Sequence, residues 1–492
     1  MYRPFVIIGI GALVASFVAL NNTLLAGAVI LLTAVLILFL FFRNSNQKNK
    51  GVILALIFIM LLIRVVSLGV FIENKTNKLV GSSAEITAEI VDIGYSSNKY
   101  SSVILKIKDS SNKDMEGLTV TTTFSYSTNA IPGDIINAEI TFVPLQDNFR
   151  SYNFGKGYHF AGNVTQIYSN TENKYSFWRF IYNVRTQILN SIEYSGQDDA
   201  GAVLKALIIG DDADISNELY ETVKATGVSH MLVVSGMHLS LLCGIMMNIV
   251  NGRIRLATKV IVCSAISLFI LAVCLFHISI LRASIAYFVM LFGRFFKRTT
   301  DPLSSLGFGI VVAVFSNPYI FYNVAFLLSL AATFAVLYPS KMLIDAVSFK
   351  RFGRVGKLFR SAYDIFVIAT CSMVCTLPII VYYFGYVALA SPIANLAVTF
   401  AMNSALVLGV LAIMLFFLPF GKFISLPCFF LARAFVKFFI SVITYMGKND
   451  FGVVRVSPDK NIYCFFIACA FILLVRVLSR YLISKRKEKQ NA

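Results

Sequence analysis

The chain is short of charge, of histidine, and of any cysteine in its first half. Only 14% of its 492 residues are Asp, Glu, Lys or Arg, against 57% hydrophobic residues. That is the composition of an integral membrane protein and excludes an ordinary soluble enzyme. All eight cysteines stand at position 243 or later, so the polar region 73–228 has no disulfide framework. Cys371 and Cys375 are four apart with no His, Asp or Glu at ligand spacing, and read as packing residues. No Gly-x-x-x-x-Gly-Lys-Ser/Thr loop occurs, which removes a built-in ATPase. Four histidines in all, His159, His230, His238 and His277, leave little material for a metal centre. No metal and no cofactor is expected.

What is abundant is apolar sequence. A membrane-crossing helix needs about 20 mostly apolar residues. The qualifying runs fall in two blocks, near 4–20, 24–42 and 51–72, then near 229–250, 258–276, 278–293, 303–316, 319–338, 362–384, 392–418, 423–447 and 461–481. The short runs 278–293 and 303–316 read equally as half-helices, so the expected count is 9–12. Arg3 and the apolar run after it resemble a signal peptide, but without a small-residue cleavage site they read as a retained anchor.

Orientation follows from the basic loops. Asn21-Asn22-Thr23 has no charge, while the next loop carries Arg43, Lys48 and Lys50 and should be cytoplasmic. The third span then delivers 73–228 to the outside. Arg253, Arg255 and Lys259, then Arg294, Lys297 and Arg298, the basic 341–360 stretch and the tail Lys485-Arg486-Lys487 all fall inside with a 12-span count. The net charge of +18 is not a nucleic-acid signal, because region 73–228 holds 13 basic and 19 acidic residues. The basic excess sits in loops and span ends, where topology and anionic lipid explain it.

The outside region opens with alternation. Residues 84–93, 100–108, 118–126, 135–143 and 160–168 read as five strands, with Asp109–Lys113 and Ile131-Pro132-Gly133-Asp134 as turns. Val103, Leu105 and Ile107 share one face; Ile104, Lys106 and Lys108 share the other. Five short strands suit a small OB-like barrel. Lys99, Tyr100, Lys106, Lys108, Tyr126, Arg150, Tyr152 and Lys156 are candidates for a strand-binding face. Yet 73–180 holds 10 basic and 11 acidic residues, which is weak for phosphate affinity and favours a structural or partner-docking role over DNA contact.

Residues 176–228 read as helical. Phe177, Trp178, Phe180, Ile181, Val184 and Ile188 form an apolar stripe interleaved with Arg179 and Arg185, which suits a helix lying on a membrane or barrel surface. Leu204–Gly210 is followed by Asp211, Asp212, Asp214, Glu218 and Glu221. Ser216 should cap a helix starting at Asn217. The acids read as capping and solvation rather than a metal site.

The most informative stretch runs from Thr226 through Gly227-Val-Ser-His-Met-Leu-Val-Val-Ser-Gly-Met-His to Ser240. It holds Ser229, His230, Ser235, Gly236 and His238 in an apolar run. Polar groups at membrane depth are costly and are functional candidates or interhelical hydrogen-bonding groups. If the run is one helix, Met231, Ser235 and His238 share a face and His230 lies about 80° from His238; Gly236 is the place for an interruption. Ser235 with His238 would permit a hydrolase, but no acid is positioned for it. Arg282 needs a carboxylate, carbonyls or a polyanion, and acids are scarce in the spans. Asn323, Asn395 and Asn403 are further intramembrane polar candidates.

Ala206-Leu-Ile-Ile-Gly-Asp-Asp and the Thr226–His238 run resemble the hallmark of the ComEC competence proteins. Leu281-Arg-Ala-Ser matches too, as do Asp301-Pro, Asn317-Pro-Tyr, Ala325-Phe-Leu-Leu-Ser-Leu-Ala-Ala-Thr, Leu377-Pro, Phe384-Gly-Tyr and Ser391-Pro-Ile-Ala-Asn-Leu. The resemblance spans about 200–420 and extends to the N-terminal plan. It implies an inner-membrane channel that passes one strand of incoming DNA during natural transformation, in the bacterial cell membrane. Ser229, His230, Ser235, Gly236, His238 and Arg282 would then line or support the path. It also implies a DNA-receptor protein and a cytoplasmic helicase-like ATPase as partners, beside single-stranded DNA and the lipid bilayer; a homodimer is left open. Many members carry a metallo-β-lactamase-like nuclease domain with an HxHxDH motif. No HxH occurs here, so a separate nuclease is expected to degrade the second strand.

The expected architecture is a polytopic α-helical membrane protein with an inserted extracytoplasmic OB-like β-barrel. Its parts are N-terminal spans (1–72), the β domain (73–175), an amphipathic helical connector (176–228), a channel domain (229–484) and a basic tail (485–492). The expected function is a passive DNA channel. A transporter of a small anionic solute and a structural component of the uptake assembly remain alternatives.

Overall fold

The computed structural model describes residues 4–19, 28, 32, 48–96, 100–125, 131–173, 175–234, 236–249, 256–276, 278–295, 301–347, 353–448 and 452–491. The expected span 24–42, and residues Lys99, Tyr126, Ser235 and His277, lie outside or almost wholly outside them. The chain forms two compact units, residues 1–187 with 304–323, and residues 188–303 with 324–492.

The first unit begins with helices α1 (Pro4–Ala19) and α2 (Lys48–Leu79). Helix α2 runs past the expected end of its span and stops at Gly81, whose φ of 84° suits glycine. The barrel follows: β1 (Ser83–Ser96), β2 (Tyr100–Ser110), β3 (Thr119–Ser125), β4 (Ile135–Val143) and β5 (Phe160–Thr171). They close in the order β1-β2-β3-β5-β4, with β3 and β5 parallel and the other pairs antiparallel. The alternation decided the faces correctly. Val103, Leu105 and Ile107 are buried on β2, and Ile136, Ala138, Ile140 and Phe142 on β4, while Lys106 and Lys108 are exposed. Each such aliphatic side chain contributes about 1.5–3 kcal/mol on burial.

Helix α3 (Asp147–Lys156), between β4 and β5, had no sequence expectation. Its partner is distant in sequence: the turn 317–323 that follows α10 (Pro302–Ser316, described below). Lys75 of α2 ties the helix to the barrel, donating to Asp114 Oδ1 at 2.9 Å and to its carbonyl at 2.7 Å. Lys78 pairs with the same carboxylate, and the two ammonium groups hold it below the usual carboxylate range.

Helix α4 (Phe177–Glu193) carries the expected amphipathic stripe, with Ile181, Ile188 and Ile192 buried and Phe177 and Phe180 exposed. Arg179 meets Asp134 at 2.6 Å and Glu172 at 3.2 Å. Gly133 lies under this helix, where a Cβ would stand 2.6 Å from the Arg179 nitrogen. Helix α5 (Asp199–Ile209) departs from the amphipathic expectation: nine of its eleven residues are buried. A helix apolar all round must be enclosed, and α5 belongs to the core of the second unit. Helix α6 (Asn217–Ala225) starts where expected, its Leu219 N–H donating to Ser216 Oγ at 3.3 Å.

The second unit continues with α7 (Gly236–Ile249), α8 (Leu256–Val273) and α9 (Ile278–Phe295). Helix α10 returns to the first unit. Helix α11 (Val324–Ala335) passes through one π turn at Val336–Ser340, around Pro339, into α12 (Lys341–Ala346). Next come α13 (Gly353–Phe384), β6 (Tyr386–Ala388), α14 (Ser391–Phe416), α15 (Gly421–Lys448), β7 (Val453–Arg455) and α16 (Asn461–Asn491). Strands β6 and β7 pair antiparallel.

Helices α14 and α15 form an antiparallel hairpin. Phe429, Ala432, Val436, Phe439 and Ile443 of α15 are buried at alternating spacings of three and four, the seam of a coiled-coil contact. Helix α14 buries small residues as well (Ala394, Ala401, Ala405, Ala412), which permit close helix packing. Five segments are long and apolar enough to cross a membrane: Val324–Ala346, Phe359–Phe384, Ser391–Phe416, Gly421–Lys448 and Asn461–Ser484. Five shorter apolar helices accompany them among the described residues. The protein is a polytopic helical membrane protein with a small inserted barrel.

Candidate functional site

The run Thr226–Ser240 is not one helix. Thr226 Oγ1 turns back onto the Thr222 and Val223 carbonyls at 3.0 and 3.1 Å. Gly227 then takes φ 73°, and Val228 N–H donates to Val223 O at 3.2 Å, a glycine stop of the Schellman kind. A single 3₁₀ turn covers Ser229–Met231, and helix resumes only at Gly236. The expected span 229–250 therefore begins seven residues late. Met231 and His238 do not share one helix, and the 80° relation between the histidines does not hold, because Gly227 ends one helix and Gly236 starts another; Ser235 lies outside the described residues. Gly236 earns its place by packing: a Cβ there would lie 2.8 Å from Ala283 Cβ on α9.

The broken stretch is held by the start of α14. Ser391 Oγ donates to Gly227 O at 3.0 Å, and Asn395 Nδ2 donates to Ser391 O at 2.8 Å and to its Oγ at 3.1 Å. His230 is hydrogen-bonded to the Asn395 side chain and to the Gly227 backbone. Its side chain is exposed. His238 is 3% exposed and lies within electrostatic reach of His230. Ser229 is half-buried, as is Asn403, eight residues beyond Asn395 on α14. The structure thus gathers Ser229, His230, His238 and Asn395. Ser391 was missed, although it stands inside an apolar run where a hydroxyl is a signal.

Arg282 of α9 is 8% exposed. Its Nε and Nη2 donate to Ser329 Oγ of α11 at 3.1 and 2.7 Å. No carboxylate among the described residues pairs with it. A guanidinium has five N–H donors; two of them meet this hydroxyl, and no carboxylate among the described residues balances the charge. Ser329 is a second missed hydroxyl.

Asn323 belongs elsewhere. In the first unit, Asn317 Nδ2 donates to Phe154 O at 2.8 Å and Gly155 O at 3.1 Å, and Asn323 Nδ2 donates to Gly155 O at 3.3 Å. A Cβ on Gly155 would meet the Tyr322 carbonyl carbon at 2.6 Å. These two asparagines clamp α3 to the turn 317–323. His159 is packed between Phe154 and Tyr319, with ring centroids at 4.9 and 5.5 Å. Its buried Nδ1 has no partner among the described residues, and burial, helped by Arg64, lowers its pKa to about 4.

On the barrel, Lys108 is paired with Glu89 at 3.0 Å and Lys106 is exposed. Tyr100 pairs with Ser125 at the β2–β3 end. Arg150 stands 5.5 Å from the Phe154 ring and Lys156 4.4 Å from the Tyr152 ring. These two cation–π pairs share α3 rather than the strand face. Burial raises Asp92, and it pushes Tyr158 up to about 12 with help from the Asp92 charge.

The competence protein family matches residues 207–481, more than half of the chain. The chain belongs to the competence protein family. The matched region includes Gly227, His230, His238, Arg282, Ser329, Ser391 and Asn395. This competence-family protein is also 22% identical over 349 residues to ComE operon protein 3 of Bacillus subtilis (strain 168), an alignment covering 70% of the chain and 42% of that relative. It therefore spans less than half of the relative's length. No solved structure matches it.

Proposed function

We propose that this competence-family protein is a conduit that passes single-stranded DNA across the cell membrane into the cytoplasm. The observation that carries the reading is Arg282, a nearly buried cation whose partner is the neutral hydroxyl of Ser329. An arginine inside an apolar helix is costly, up to about 2.5–3.5 kcal/mol at the centre of a membrane helix on insertion scales. With no carboxylate partner among the described residues, its charge suits a transient anion. A phosphodiester chain supplies that anion repeatedly as it moves. The cluster of His230, His238 and Asn395 adds hydrogen-bonding groups, which can contact a strand without trapping it.

The conduit is passive in this reading. Movement is driven by a cytoplasmic helicase-like ATPase, a receptor protein delivers DNA, and a separate nuclease removes the second strand. The test is uptake of labelled DNA into a DNase-resistant pool by a competent host lacking the gene, with the gene returned in trans. Uptake at the parental level in the deletion strain would sink the proposal. Arg282 alone would also suit a small anionic solute. Uptake of radiolabelled phosphate or carboxylates by vesicles holding the purified protein separates the two: accumulation there, with normal DNA uptake in the deletion strain, favours the transporter.

A further inference from the structure

The α14–α15 hairpin provides a ruler. The Phe400 and Phe435 rings face each other at 6.2 Å, so Ser391 and Gly447 share the open end and Phe416 and Lys422 the closed end. From Ser391 to Phe416 the axis is about 38 Å long at about 1.5 Å per residue. That exceeds the roughly 30 Å hydrocarbon layer.

Residues 194–208 pack on the closed half. The Tyr194 ring lies 5.8 Å from the Phe416 ring and 5.8 Å from Lys422 Nζ. Ser195 shares a crevice with Phe423, Leu426, Pro427 and Arg433. A Cβ on Gly409 would meet Ile208 Cδ1 at 2.8 Å. Residues 222–227 pack at the open end. A Cβ on Gly447 would meet Thr222 Cγ2 at 2.8 Å, and Ser391 holds Gly227. Whichever way the hairpin points, the stretch between Tyr194 and Gly227 runs from one end of it to the other. It cannot lie wholly on one side of the membrane, as the basic-loop pattern predicts for all of 73–228.

The irregular backbone in this stretch is clamped by protein. Arg433 reaches from mid-α15 to Asp198 Oδ1 at 2.7 Å and to Gly196 O at 2.8 Å. Gly196 has φ 133°, and a Cβ there would lie 2.7 Å from Arg433 Nη2. Lys437 adds a longer contact to Asp198 at 3.6 Å. Lys205 of α5 is held by Glu193 at 2.6 Å and Asp214 at 2.5 Å. The side chains of Asp198 and Asp214 are nonetheless 41% and 58% exposed. Lipid does not accept exposed carboxylates or open loop backbone; water-filled cavities do.

We infer that residues 194–216 form a membrane-inserted limb that runs beside the α14–α15 hairpin from its closed end, with its loops forming one wall of an aqueous cavity. Helix α5 is the limb's protein-facing side. Asp198, Asp214 and their cations form its wet side, and Arg433 is the positioning residue that holds the tip. Helix lengths and charge burial place the limb whatever the cargo.

Cysteine chemistry tests it in the full-length protein, in a background with the eight native cysteines replaced and membrane level retained. A short bismaleimide should link the pair Tyr194→Cys/Phe416→Cys. Single variants Phe420→Cys and Glu221→Cys, both exposed, should react with an impermeant maleimide from opposite sides of the membrane. Ala213→Cys, on the exposed loop, should be modified by a small charged methanethiosulfonate in the intact membrane. Labelling of Phe420→Cys and Glu221→Cys from the same side, or failure of the pair to crosslink, overturns the limb. An Ala213→Cys that reacts only after detergent overturns the aqueous wall.

Discussion

Ser391 Oγ donates to the carbonyl of Gly227 at 3.0 Å across 164 residues of sequence. The bond joins the glycine that ends α6 to the first residue of α14. It works because Gly227 has no side chain: a Cβ would stand 2.7 Å from both the Ala388 and Ser391 Cβ atoms. Left-handed φ and steric closeness thus coincide at one residue.

Gly227→Ala should therefore be far more damaging than an ordinary glycine change. Strain at positive φ costs of order 1 kcal/mol, and the clash adds to it. Gly81→Ala is the matched control, with φ 84° but nothing within 4 Å. The expected result is a lower melting midpoint in detergent for both variants, with at least twice the drop for Gly227→Ala and loss of transformation in that variant alone.

Asn395 ties three groups together, and Asn395→Leu removes the bonds to Ser391 and His230 while keeping helix and volume. Leaving such buried partners unsatisfied costs about 1–3 kcal/mol. Transformation should fall at least tenfold with membrane level near normal. Asn403→Leu, on the same helix but outside this network, should fall less. Equal effects would remove the special role of Asn395.

Arg282→Gln keeps a donor and removes the charge; Arg282→Lys keeps the charge and loses the planar fork. The glutamine variant should lose DNA uptake by more than tenfold, and the lysine variant should retain a measurable fraction. Ser329→Ala should sit between wild type and Arg282→Gln, since it frees the guanidinium rather than deleting it. Uptake of labelled DNA, normalised to immunoblotted membrane protein, reads all three.

His159 predicts a pH dependence of the first unit. Its pKa is about 4 in the native protein and near 6.5 when unfolded. Between these values the unfolded chain binds a proton that the native state refuses. The contribution is fully present above pH 6.5 and is lost as pH falls toward 4. His159→Phe should flatten that part of the stability profile. The single tryptophan, Trp178, reports unfolding of this unit by fluorescence in detergent at pH 7 and 5. An unchanged slope in the variant would assign the dependence to other groups.

Much of the architecture was legible because its signals are local. Alternation of Val103, Leu105 and Ile107 gives a strand face within a few residues, and Ser216 caps a helix three residues away. The site was legible as residue types but not as geometry. Ser229, His230, His238 and Asn395 were candidates; their grouping depends on Ser391 meeting Gly227, which no local pattern encodes. The shared helical face across 229–238 failed, since helix starts afresh at Gly236, the residue marked for an interruption, and Gly227 ends the helix before it. Helix α5 falls within the stretch read as an amphipathic connector, yet nine of its eleven residues are buried, Lys205 among them. Arg433 escaped notice as one charge in a long apolar run, and Asn323 was grouped by type with residues from which its hydrogen bonds separate it.

The closure of the barrel limits how it can meet anything else. In the ring ordered β1-β2-β3-β5-β4 the antiparallel seams pair along seven residues or more, while β3 and β5 pair only at Val120 with Phe160 and Thr121 with Ala161. Along the long seams the strands already have hydrogen-bonding neighbours, so a visiting chain or nucleic acid meets side chains, loop tips or the α3 helix there. Within the barrel, a partner that docks by extending a sheet is directed to the short parallel seam.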